Sequence, residues 1–218
     1  MLSEQQRREA AEALMRAAAT QTPIPQLSKT YPEMTLEDAY AVQGLWAKAL
    51  TDQGGRRVGT KIGLTSRAMQ MASKFNEPDY GFLMDSMLLN DGAVIQAAQF
   101  SAPRLEVELA FLMGEDLEGP TARVYDVMRA VEFVTPAMEI IDSRYKDFKF
   151  TLEDVVADNA SSSGFVVGPW QKADADLSNL GMLLEINGRP VQIGSSGAIL
   201  GHPIRSLVAA ARLSSGAG

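Results

Sequence analysis

From Pro103 to Phe111 the chain alternates without a break: Leu105, Val107, Leu109 and Phe111 are interleaved with Arg104, Glu106, Glu108 and Ala110. A repeat of two suits no helical stripe, because only in a β-strand does every second side chain share a face. Whatever this chain folds into must hold a strand that shows Glu106 and Glu108 side by side, roughly 6–7 Å apart at their Cα atoms after two strand rises. One reading is a strand with a single wet face. The other is a pair of oxygen ligands for a hard divalent cation, which turns the repulsion between two carboxylates into a shared attraction.

A third acid favours the second reading. In the run Val134-Thr-Pro-Ala-Met-Glu-Ile-Ile141, Glu139 sits among apolar neighbours that read as a buried strand. A lone carboxylate there is costly unless it is paired or binds a metal. Glu106, Glu108 and Glu139 together make a three-carboxylate site suited to Mg²⁺ or Mn²⁺, with coordination left for water and substrate oxygens. Zinc fits poorly, since the chain has no cysteine and a single histidine.

The 218 residues suffice for a substantial core, and 46% hydrophobic content is ordinary for a globular protein. A formal net charge of −7 and the lack of a basic stripe argue against nucleic acid as a partner. No apolar run approaches the length of a membrane span and no signal-like segment opens the chain, so a soluble, cytoplasmic protein without a membrane partner is expected. Absence of cysteine excludes disulfides and thiol catalysis.

Along the chain, Ser3 and Gln6 have capping-box spacing and open a helix over 3–19, whose thin apolar face is Leu14, Met15 and Ala18. A second helix starts at Thr35, with Asp38 three residues on and Ala39, Val42, Leu45, Trp46 and Ala49 along one side. Val58 to Leu64 reads as a strand with Gly59, Lys61 and Gly63 on one face. That Lys is either a surface residue of an edge strand or a cation reaching a ligand that lies against bare glycine backbone. Helices are expected over 66–75, 124–133, from Thr151 toward Ser162, and over 198–213. Glu77 to Gly81 has turn chemistry, and Asp79 within it reads as a turn former. Gly164 to Gly168 is a short apolar strand, and Asn187-Gly188 between two apolar runs is a strong hairpin signal. The division expected is an N-terminal helical region over 1–57 and a catalytic mixed-β domain over 58–218.

The segments KIGLTSRAMQ (61–70), EPDYGFLMDSM (77–87), PRLEVELAF (103–111), PAMEIIDSRY (136–145), VVADNASSSG (155–164) and ILGHP (199–203) are collinear over nearly the whole chain. In them the chain resembles the fumarylacetoacetate hydrolase superfamily, in its branch of 2-keto-4-pentenoate hydratases, 2-oxohept-4-ene-1,7-dioate hydratases and 4-oxalocrotonate decarboxylases. The resemblance implies an α+β fold, a mixed β-barrel-like structure with peripheral helices. It implies Mg²⁺ or Mn²⁺ at Glu106, Glu108 and Glu139, with Lys61 and Asp79 lining the same cavity. Members of that family continue past the point where this sequence stops, so the final strands of the barrel are expected to be missing.

The resemblance further implies a small 2-oxo or 2-hydroxy dienoate as substrate. A hydratase adds water to a 2-hydroxy-2,4-dienoate to give a 4-hydroxy-2-oxo acid; a decarboxylase removes CO₂ from a 2-oxo-3-enedioate. The hydratase is the favoured expectation and the decarboxylase its alternative; an inactive subunit that serves only assembly is the non-enzymatic one. Lys61 would stabilise the enolate or the substrate carboxylate, and Asp79 would transfer a proton. Asn159 and Ser161 are candidates for substrate hydrogen bonds, against the plainer reading of a capped helix end. His202, at a helix entrance, reads as structural. A homo-oligomer, or a complex with a partner hydratase or decarboxylase, is expected.

Overall fold

The computed structural model describes residues 1–73, 75, 77–117 and 119–215. Its helices are α1 (Glu4–Thr20), α2 (Leu27–Thr30), α3 (Leu36–Asp52), α4 (Arg67–Ser73), α5 (Val124–Ala130), α6 (Leu152–Ala157) and α7 (Pro203–Ser214). Its strands are β1 (Arg57–Gly63), β2 (Asp79–Met84), β3 (Leu88–Leu89), β4 (Arg104–Met113), β5 (Val131–Ile141), β6 (Ser162–Val167), β7 (Gln171–Lys172), β8 (Gly181–Ile186) and β9 (Arg189–Ser195). None of the described helices is long and apolar enough to cross a membrane.

Side-chain caps start α1, α3 and α6. Ser3, Thr35 and Thr151 each exchange bonds with the residue three further on, which satisfies N–H groups that have no partner inside the helix. The helix expected over 3–19 is α1, but its buried stripe is Ala10, Ala11, Leu14 and Ala17. Met15, four residues from Ala11, packs partly buried against the same core, whereas Ala18 is exposed. This face meets α3, where Ala39, Val42 and Trp46 are buried. Phe82 and Met84 of β2 and Val156 and Ala157 of α6 complete the same core, so the N-terminal helices pack directly on the elements that carry the β1–β2 pair.

Hydrogen bonding divides the strands into an antiparallel β1–β2 pair, a five-stranded sheet in the order β3-β6-β5-β4 with β7 also on β5, and the β8–β9 hairpin. Among the described residues these sheets do not close into a barrel, and β4 is an edge. At the hairpin turn Asn187 (φ 53°) and Gly188 (φ 71°) are both left-handed, the backbone demanded by a tight turn between twisted strands.

Several boundaries differ from the sequence expectation. The helix expected over 124–133 stops at Ala130, because Val131, Phe133 and Val134 pair with Met113, Leu112 and Phe111 and lengthen β5. The last helix begins at Pro203 instead of 198, with His202 as its cap and proline in the first turn, where no N–H is missed. The helix expected over 66–75 covers Arg67–Ser73, and residue 74 lies outside the described residues. Asp79 opens β2, paired with Gly63, and does not sit in a turn.

Candidate active site

The long β4–β5 ladder builds the site. Its register sets Glu106 opposite Glu139 and Glu108 opposite Ala137, so all three carboxylates rise from one face. Their nearest oxygens lie within 4.8 Å of one another. The same face continues through Ala110 and Ala137 to Phe165 and Val167 of β6, the register partners of Glu139 and Ala137, as an apolar floor.

The β1–β2 pair supplies the rest. Lys61 of β1 reaches across to Glu139, with Nζ 3.1 Å from Oε2; the Glu139 side chain is buried and that of Lys61 largely so. Asp79 of β2 is 3% exposed. A side chain on Gly63 would run into the Asp79 carboxyl, so the glycine makes room for Asp79 rather than for a ligand lying on bare backbone, the use that sequence alone suggests. At Gly59 the nearest neighbour of an added methyl is Leu83, at an ordinary 3.6 Å. Asp79 Oδ1 and Glu139 Oε1 are buried and have no hydrogen-bond partner among the described residues. Buried oxygens of this kind are costly to leave unmet.

The electrostatics reflect one cation among four acids. Burial alone would push the Lys61 ammonium down, but Glu139, Asp79, Glu106 and Glu108 together carry it above its ordinary value. Burial raises Asp79, and Glu139 adds to this against the opposing pull of Lys61. Glu106 rises for the same reasons. Burial pushes Glu108 up to about 7, with Lys61 opposing and Glu139 and Glu106 reinforcing. The cluster therefore has an excess of acid, with unmet oxygens pointing inward. A divalent cation with oxygen ligands fits that donor set.

Beside these groups lies a cavity of about 690 Å³; Asp79, expected to line it with Lys61, is not among its lining residues, and neither is Glu106. Lys61, Glu108 and Glu139 line it with the apolar floor, and one wall is the α7 face of Pro203, Ser206, Leu207 and Ala210. That face has helical spacing visible in the sequence, but only the packing shows that it borders the site.

Asn159 and Ser161 do not line this cavity. Asn159 is 2% exposed, and both polar ends of its amide are bound to the backbone of Phe82. The Ser161 hydroxyl donates to Asp158 at 3.3 Å. His202 Nδ1 accepts from the Ile204 N–H at 3.2 Å and caps α7. Sequence reasoning missed the buried Arg144–Asp158 ion pair. Arg144 also bonds the Asp142 carbonyl and Ser163 Oγ, tying the end of β5 to the start of β6. Nothing periodic marks a buried arginine in Ile-Ile-Asp-Ser-Arg-Tyr, so no local pattern reveals the pair.

Comparison with known proteins gives this arrangement its family. The fumarylacetoacetate (FAA) hydrolase C-terminal family matches residues 56–216. A 4-oxalocrotonate decarboxylase of Pseudomonas sp is 47% identical over 203 residues, 93% of this chain and 78% of the relative. A 2-keto-4-pentenoate hydratase of Paraburkholderia xenovorans (strain LB400) is 40% identical over 213 residues, 97% of this chain and 79% of the relative. The solved structure of 4-oxalocrotonate decarboxylase from Pseudomonas putida G7, complexed with magnesium and adipate, superposes with a TM-score of 0.97 at 37% identity, covering 100% of this chain and 84% of that one. With three carboxylates converging on a β4–β5 face and relatives matched along nearly its whole length, this chain belongs to the fumarylacetoacetate hydrolase family.

Proposed function

We propose that the protein is a divalent-metal-dependent hydro-lyase that adds water to a 2-hydroxy-2,4-dienoate to give a 4-hydroxy-2-oxo acid. The observation that carries this reading is the convergence of Glu106, Glu108 and Glu139 beside the Lys61–Glu139 contact, with Lys61, Glu108 and Glu139 lining an apolar-floored cavity. Glu106, Glu108 and Glu139 would hold Mg²⁺ or Mn²⁺. When bound, such an ion supplies Lewis acidity toward the carboxylate and 2-oxygen of a conjugated 2-oxo acid.

The chain's own groups do the rest. Lys61, kept cationic by the surrounding acids, donates hydrogen bonds to developing negative charge on the substrate oxygens. Asp79 is held toward its protonated form by burial, which suits it to deliver a proton to the dienol carbon skeleton and to take one from water in return. The floor of Ala137, Phe165 and Val167 seats the conjugated carbons and limits stray water.

A second reading is decarboxylation of a 2-oxo-3-enedioate. It is favoured by the name shared by the 47%-identical relative and the magnesium- and adipate-bound neighbour. Purified protein with Mg²⁺ should be given 2-hydroxypenta-2,4-dienoate and, separately, 2-oxohex-3-enedioate, following dienol absorbance and CO₂. Loss of the dienol without CO₂ supports the hydratase; CO₂ release from the enedioate supports the second reading; turnover of neither defeats both.

A further inference from the structure

Immediately after Asp158 come three consecutive left-handed residues, Asn159 (φ 53°), Ala160 (φ 51°) and Ser161 (φ 59°), the longest such run among the described residues. None is glycine, and all three are buried, at 2%, 6% and 2% exposure. Residues with a Cβ avoid this region, and backbone of this kind persists only where its surroundings over-determine it. The Ser161 end is held by Asp142 and Asp158, and the Asn159 end by β2. The Asn159 amide accepts the Phe82 N–H at 2.7 Å and donates to the Phe82 carbonyl at 3.0 Å, the two bonds a neighbouring strand would otherwise make.

Gly81, next to Phe82, is the register partner of Lys61. A Cβ on Gly81 would lie 2.7 Å from Asn159 Oδ1, 2.9 Å from the Asn159 carbonyl and 3.2 Å from Lys61 Cγ. Asn159 and the Lys61 stem thus crowd the same space over a bare backbone, and from there the stem carries Nζ to Glu139. We propose that Asn159 is a positioning residue: by clamping Phe82 and filling the space over Gly81, it sets where the Lys61 ammonium stands relative to Glu139. It acts through Lys61 and makes no substrate contact of its own.

The test has one arm that needs no turnover and one that rests on the functional reading above. Asn159→Gly keeps the left-handed backbone accessible while removing the clamp. Asn159→Asp keeps the acceptor for Phe82 N–H, and Gly81→Ala disturbs the same contact from the other side with Asn159 intact. In ¹⁵N-lysine NMR, with the Lys61 signal assigned through Lys61→Met, the ammonium should exchange with solvent about tenfold faster in Asn159→Gly and Gly81→Ala than in the parent, and Asn159→Asp should recover part of the protection. An unchanged Lys61 signal in both disruptive variants overturns the proposal.

In the kinetic arm, Asn159→Gly should lower kcat by about 10–100-fold, the scale of a small misplacement of a working group, with KM little changed. That loss should vanish in a Lys61→Met background. A raised KM at constant kcat would instead make Asn159 a direct substrate contact, and an equal loss without Lys61 would make it a general support; either overturns the proposal. If the parent turns over neither substrate while the Lys61 signal moves as expected, the functional reading fails and the positioning role stands.

Discussion

Glu106 and Glu139 stand directly opposite one another across the antiparallel β4–β5 ladder. Like charges so placed destabilise a sheet pair unless something compensates them. Lys61 supplies part of the compensation from β1, at 3.1 Å from Glu139. The rest, including the unmet Glu139 Oε1, is what a divalent ion would supply.

Metal should therefore stabilise the fold. At Mg²⁺ near 100 times its dissociation constant the gain is about 2.7 kcal/mol. For a chain of this size that raises the thermal midpoint by roughly 5–10 °C. A chelator should reverse the change, and Glu139→Gln should lose most of it. A thermal scan that does not respond to Mg²⁺ or Mn²⁺ removes the metal site.

Lys61→Met should separate catalysis from metal binding. An ammonium has no lone pair to offer a cation. Removing it leaves the carboxylates free, so calorimetric Mg²⁺ affinity should hold or tighten while turnover falls by about 10²–10⁴-fold. Near-normal rates in this variant would take Lys61 out of the mechanism.

Gly63→Ala and Gly59→Ala form a matched pair on one strand. The first drives a methyl into the buried Asp79 carboxyl, whereas the second meets only Leu83 at 3.6 Å. Overpacking of the first kind costs about 1–3 kcal/mol. Gly63→Ala should thus lose both stability and activity, and Gly59→Ala should stay close to the parent in denaturant unfolding and in rate.

Asp38 predicts an acid-dependent loss of stability away from the site. Burial opposes its charge, but bonds from the Thr35 and Leu2 N–H groups, the Thr35 hydroxyl and Arg7 outweigh it and hold the carboxyl at about 2, below its usual 3.8. A carboxyl depressed in the fold stabilises above its unfolded value and loses that contribution as pH falls through the folded one. Between pH 4 and pH 2 the parent should lose roughly 1–2 kcal/mol from this group, since each tenfold change in proton affinity is worth about 1.4 kcal/mol and water reaches the partly exposed Arg7 partner. Asp38→Asn should be less stable at neutral pH and flatter across that window in thermal scans. Parallel curves for the two proteins would rule out the role assigned to Asp38.

Sequence alone determined what depends on neighbours along the chain. Alternation made a strand of 103–111 and put Glu106 and Glu108 on one face, because the strand repeat of two is a local property. Ser3–Gln6 and Thr35–Asp38 announced their helices through bonds spanning three residues, and Asn187-Gly188 announced a turn through backbone freedom. The tertiary structure decided which residues meet from far apart. The β4–β5 register brought Glu139 opposite Glu106, and β1 brought Lys61 to Glu139. Asp79, a turn former by composition, became a buried strand residue because Gly63 leaves space for its carboxyl on the paired strand. Asn159 turned from a cavity candidate into a clamp on Phe82, 77 residues away. Periodicity records only which side of its own element a residue faces; register, burial and ion pairing arise when separate elements pack, and no local pattern encodes them.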